Sequence, residues 1–259
     1  MSNVDQRRVA ILTQEGAHDE ALSLLEQAFR QIELTDAAEQ TEIFMTMFQW
    51  RLLADDYAPA RAALRNLRDT QVERLLGGDI YVGLASQHDV EEFRLRRRFS
   101  LIVEMNETLR DHQSTCDVFA TLDRDHPALA RRYARTALPA LVEVGNFQLA
   151  DQYGRDPLQH LSAVNEAALT LTLHPSTRQA PRLAADLTNL VQDVRIGMAV
   201  FRGLGHDDQA DVLREALLSG LHSDDLRTVA QRELAEPGTI TRELVAHQMA
   251  QEALSPFSR

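Results

Sequence analysis

Lysine is missing altogether: every one of the 27 cationic side chains in this 259-residue chain is an arginine. A GC-rich bacterial genome is the plain explanation, and the absence has chemical force. It removes the lysine of phosphate-binding loops, the Schiff-base lysine of pyridoxal enzymes and the strand lysine of protein kinases. Cysteine is nearly missing too. Cys116 stands alone, so neither an intrachain disulfide nor a Cys-based zinc site can form. No Gly-x-Ser-x-Gly elbow occurs, and Ser and His are scattered. No stretch approaches the ~18 apolar residues of a membrane span. Residues 1–10 contain Asp5, Arg7 and Arg8 without a long apolar run, which does not read as a signal peptide. A cytoplasmic location is the default expectation. Strand signals are sparse. The most β-like stretch, 79–84, is short and follows Gly77 and Gly78, so a loop or a short helical turn is expected there.

What is present is acid and apolar periodicity. The formal net charge is −12, a field that repels phosphate backbones and anionic lipid. Neither a nucleic-acid nor a membrane partner is expected. With 44% hydrophobic and 25% charged residues, the composition is that of a globular chain rather than a disordered one.

Helical spacing dominates. After Pro181, a helix-start signal, come Leu183, Leu187, Leu190, Val191, Val194, Met198 and Phe201, which keep one helix face apolar until Gly203 and Gly205. The same reading places helices at 3–15, 18–32, 36–54, 57–76, 88–111, 114–123, 126–144 and 147–153. Further helices are expected at 157–173, 178–204, 206–220, 223–235 and 239–254. Pro139 should kink or split the helix over 126–144. The loop over 174–181 is the expected seam between two regions, 1–176 and 177–259.

One pattern recurs. A turn residue is followed five positions on by Ala, then by a small or apolar residue twelve on: Gly16, Ala21, Ala28; Asp55, Ala60, Leu67; Gly145, Ala150; Gly205, Ala210, Leu217. Gly or Asp suits a tight helix reversal, and a small side chain lets the second helix cross close to the first. In “EGAHDEALSLLEQAF” (15–29) and “DDYAPARAALRNL” (55–67) the chain resembles the tetratricopeptide repeat, whose helix–turn–helix unit carries Gly, Ala and Ala at these relative positions. The period is irregular, Phe48 stands where that family has a small residue, and the repeats degenerate after residue 76. The resemblance implies an all-α fold, an α-α superhelix of antiparallel hairpins, with a partner held on an inner surface of first helices. The family's Lys-x-x-x-Asn clamp for chaperone C-termini has no counterpart here, since there is no Lys.

Three constellations could carry chemistry. The pairs His18–Asp19, His88–Asp89 and His206–Asp207 resemble those of all-α metal-dependent phosphohydrolases, yet each stands at an expected helix start, where Asp caps free N–H groups. Asp55–Asp56, Asp207–Asp208 and Asp224–Asp225 read in the same way as helix N-terminal acids. The run “FRLRRRF” (93–99) is expected on a solvated helix face, with Leu95, Phe99, Ile102 and Leu109 forming the apolar stripe and Arg131, Arg132 and Arg135 as neighbours to be tested. Cys116 is expected to be structural.

These observations point to a non-catalytic protein- or peptide-binding scaffold of a bacterial cytoplasm, with no cofactor and no metal. The residues expected to face a partner are Phe44, Phe48, Arg51, Arg94, Arg97, Arg98, Arg131 and Arg135, although the i, i+4 spacing of Phe44 and Phe48 reads first as core packing. Two alternatives belong to other classes. One is an all-α metal-dependent hydrolase built on the His–Asp pairs. The other is an acidic regulatory or immunity-type protein that sequesters a basic partner. Oligomeric state is left open, a homodimer included.

Overall fold

The computed structural model describes residues 3–35, 40–84, 95–176 and 179–254. Among these it contains thirteen helices and no strand longer than an isolated bridge. The all-α class therefore holds. No described helix is long and apolar enough to cross a membrane. The chain divides into two compact units, Met1–Val144 and Gly145–Arg259. That division lies ahead of the 174–181 loop, where composition alone had set the seam. The physical reason is that α8 and α9 pack against α10 and so belong to the second unit.

The first unit holds α1 (Asn3–Gln14), α2 (His18–Glu33), α3 (Gln40–Asp56), α4 (Ala58–Leu76), α5 (Arg98–Leu109), α6 (His112–Asp125) and α7 (Pro127–Glu143). Each helix packs against the next one in the chain, and α1, α3, α5 and α7 also pack in succession. The odd-numbered helices thus form one row of neighbours, with α2, α4 and α6 packed between successive members of it. Ala21 and Ala60 are fully buried at the starts of the second helices. The core around them includes Val9, Leu25, Phe29, Ile43, Met47, Trp50 and Leu64. Burying one such side chain contributes roughly 1.5–3 kcal/mol. Trp50 is 1% exposed, meets the ring of Phe29 edge-on at 6.5 Å and donates its indole N–H to the Ala60 carbonyl at 3.1 Å.

The second unit holds α8 (Phe147–Gln152), α9 (Leu161–Ala167), α10 (Arg182–Gly203), α11 (Asp207–Gly220), α12 (Asp224–Ala235) and α13 (Thr239–Leu254). Helix α10 is the hub: α8, α9, α11 and α12 all pack on it. Its apolar face of Leu183, Leu187, Leu190, Val191, Val194 and Met198 is buried throughout. Ala150 and Ala210 are also fully buried.

The corners show why the spacing worked. Gly16 and Gly205 adopt φ of +77° and +82°, conformations that L side chains resist. At each corner the glycine N–H and the next N–H fold back onto the helix's last carbonyls: Gly16 to Thr13 and Ala17 to Leu12, then Gly205 to Arg202 and His206 to Phe201. The corner after α5 uses the same bonds with Arg110 at φ +57°, an arginine where glycine is the usual choice.

Several expectations are corrected. The expected helix 88–111 begins only at Arg98, because Leu95 to Arg97 are not helical and the Arg97 backbone bridges Tyr81. Residues 85–94 lie outside the described residues. The 79–84 segment is accordingly a non-helical loop, held by bonds from Val82 N–H to Arg96 O and from Arg98 N–H to Ile80 O. Helix α7 runs through Pro139 without splitting. The helix expected over 157–173 contracts to α9 between flanking turns. Asp55 and Asp56 end α3 rather than begin a helix, so the corner residue is Tyr57, in an extended conformation.

Candidate functional site

Helix α3 is apolar on more than one face, and the fold uses those faces differently. Ile43, Met47, Trp50, Leu53 and Ala54 enter the core. Phe44 and Phe48, one turn apart on an adjoining face, remain 57% and 45% exposed. Their rings stack with centroids 6.2 Å apart and an interplanar angle of 16°. Core packing, the other reading of that i, i+4 pair, does not hold. Aromatic side chains left uncovered in this way are costly for a soluble surface and mark contact sites.

The pair lines a groove of about 640 Å³ in the first unit. Arg51 lies on the same wall, one turn beyond Phe48. Helix α5 supplies Ser100, Val103, Glu104, Glu107 and Thr108, with Arg96 just ahead of it and Thr136 from α7. The Arg96 guanidinium donates to the Glu104 carboxylate at 2.7 Å. Burial pushes the Glu104 carboxyl above its ordinary range, Arg96 opposes the shift, and the Glu107 charge one turn away adds to it. Among the described residues, Arg51 and Glu107 make no ion pair.

Two polar networks position the α5 wall. The fully buried Arg98 guanidinium donates to Glu33 at 2.8 Å, to Asp79 Oδ2 at 2.9 Å, to the Asp79 carbonyl at 2.8 Å, and also to Gln71 and the Tyr81 carbonyl. Arg74 pairs with the same two carboxylates. Two cations and two anions thus tie the ends of α2 and α4, the 79–84 loop and the start of α5. At the other end of α5, Arg68 donates to Asn106 and, at 3.0 Å, to Asp111, while Asn106 donates to Thr115 at 3.0 Å. Burial raises the Asp111 carboxyl, but bonds from Ser114 and Arg68 outweigh that and hold it below its ordinary value.

Of the side chains expected to face a partner, Phe44, Phe48 and Arg51 come together in the groove. Arg98 does not. At 0% exposure it cannot meet a partner, and the solvated-face reading fails for it because two carboxylates and two carbonyls surround it. Arg97 is exposed at the start of α5. Arg131 and Arg135 are exposed on α7. From α7, Arg132 reaches the 79–84 loop, where it lies over the Tyr81 ring and donates to its hydroxyl at 2.9 Å. Arg94 lies outside the described residues. The sequence reading missed Arg96, Ser100, Glu104, Glu107 and Thr136, since these residues meet α3 only through helix stacking.

His18–Asp19 begins α2 and His206–Asp207 flanks the start of α11, but neither aspartate makes the expected capping bond. Asp19 instead accepts from the Tyr57 hydroxyl. His88 and Asp89 lie outside the described residues. Among the described residues no group of three or more His, Cys, Asp or Glu is placed to hold a metal. Cys116 is buried in α6. The second unit carries two smaller depressions, of about 520 and 490 Å³, the first with His174 on its rim. Compared with known proteins, the chain matches no family model, no curated protein and no solved structure.

Proposed function

We propose that this chain is a non-catalytic binding scaffold whose first unit is a tetratricopeptide-like stack of hairpins, and that it holds a protein or peptide segment in the α3–α5 groove. The observation that carries this reading is the stacked Phe44–Phe48 pair, exposed on a helix that already supplies a full complement of core side chains. Supporting it are the succession of α1, α3, α5 and α7, the row of first helices on which such stacks seat their ligands, and the buried alanines at the hairpin corners. The two polar networks at either end of α5 would keep the wall in place before a ligand arrives, which lowers the ordering cost of binding.

The test is selection of a random peptide library on the immobilised chain, with the double variant Phe44→Ala/Phe48→Ala as counter-target. Circular dichroism should show the variant folded, because neither ring is in the core. Peptides retained by the native chain should be lost from the variant. Selected peptides that bind both proteins equally would place recognition elsewhere.

A further inference from the structure

We propose that the segment taken by this groove is an aromatic-plus-basic one, its ring seated on Phe44 and Phe48 and its Arg or Lys lodged against Glu107 and Glu104. This rests on the groove being the binding site. The charges that act on Glu104 are Arg96, at 2.7 Å, and Glu107. One cation therefore serves two carboxylates, and Glu107 has no partner of its own among the described residues. Burial first, and the second acid after it, hold Glu104 above its ordinary range despite Arg96. Counted as side chains, Glu104, Glu107 and Arg96 carry two negative charges and one positive, while the groove's other cation, Arg51, lies on the α3 wall and pairs with neither acid. A guanidinium or ammonium arriving from solvent would supply the second positive charge, pairing with exposed Glu107 beside half-buried Glu104.

The apolar half of the ligand follows from the opposite wall. The stacked rings present faces and edges to which another aromatic ring packs offset or edge-on, with about 0.5–1.5 kcal/mol beyond burial. Beside the two acids, the lining from α5 and α7 (Ser100, Val103, Thr108 and Thr136) is small and uncharged, which leaves Glu104 and Glu107 as the polar anchor of that wall. A net charge of −12 on the whole chain would speed the encounter with such a segment and make it salt-sensitive.

The experiment uses the full chain and two synthetic peptides that share one Phe and differ one turn away, where one carries a pair of Arg and the other a pair of Glu. Binding is followed by titration calorimetry at low and high salt. The Arg peptide should bind more tightly, and the preference should shrink with salt. Glu107→Gln, which leaves the Arg96–Glu104 bond intact, should weaken the Arg peptide several-fold, and Glu104→Gln/Glu107→Gln by about tenfold. Arg65→Ala, at an exposed position of α4 outside the groove lining, should leave it unchanged. A Glu peptide that binds equally well, or a preference undiminished in the double variant, overturns the charge assignment while leaving groove binding intact. If neither peptide binds, or if Phe44→Ala/Phe48→Ala binds the Arg peptide as the native chain does, the groove reading falls as well.

Discussion

The first and second units secure their helix corners with different chemistry. In the first, charge is taken inside: Arg98 and Arg68, 0% and 5% exposed, each anchor several segments through carboxylates, amides and carbonyls. In the second, the cation at a corner stays partly exposed: Arg227 donates to the Leu218 and Leu221 carbonyls at 2.9 and 3.1 Å, and uncharged or acidic side chains do the buried capping. Asn165 donates to the Gly220 carbonyl at 2.8 Å and accepts from His222 N–H at 3.0 Å, closing the α11–α12 corner. Buried Glu233 accepts from Gly238 and Ile240 N–H at 2.7 and 2.9 Å and so caps α13 from α12. Contact is also closer there: a Cβ added at Gly203 would lie 2.1 Å from the Phe147 ring, so α8 reaches α10 only because that side chain is absent. The difference teaches where rigidity is concentrated. The unit with the groove holds buried guanidinium networks at both ends of one groove wall, whereas the other builds from packing, a buried Glu233 cap and the partly exposed Arg227.

Breaking a buried guanidinium should show the contrast most strongly. Arg98→Ala strands Glu33 and Asp79, which Arg74 alone then neutralises, and should cost about 3 kcal/mol or more. Urea unfolding followed by Trp50 fluorescence measures it. Asn165→Ala in the second unit should cost about 1–3 kcal/mol, the penalty for one orphaned corner, and should speed hydrogen exchange at the His222 amide. Equal losses would mean that the charged network is no stiffer than a single amide.

A smaller effect should appear with pH. The Asp111 carboxyl is depressed in the fold, so its contribution is present above the ordinary carboxylate value of 3.8 and is lost as pH falls through its lower folded value. Asp111→Asn should therefore be less stable than the native chain at neutral pH, with the two stabilities converging in acid. A constant gap down to low pH would assign the role of Asp111 to its shape rather than its charge.

The smallest effect, and the only stabilising one, concerns the left-handed arginine. Arg110→Gly relieves a strained φ of +57° at an exposed corner and should raise stability by about 0.5–1 kcal/mol in urea unfolding. A loss instead would show that the Arg110 side chain carries a contact that the corner needs.

Much of the fold was legible because its signals are local. The α10 stripe, the turn glycines and the four alanines act within one or two turns of their own position, and the structure buries all four alanines completely. The groove was half legible. Phe44 and Phe48 could be named, but α3 is apolar on adjoining faces, so periodicity alone allowed either face to turn inward. Asp55 and Tyr57 show the same limit at a corner, since the choice between them rests on how α4 seats against α3.

By itself, the sequence determined that the chain would be a set of amphipathic helices reversing at small residues, because backbone sterics and apolar spacing act over a few residues. Only the tertiary structure decided that Arg98 would be buried while Arg97 beside it faces solvent, and that Glu104 and Glu107 would stand opposite Phe44 and Phe48. Those outcomes depend on carboxylates, carbonyls and helix faces brought together from far apart in the chain, and no local spacing encodes which of two neighbouring arginines will meet them.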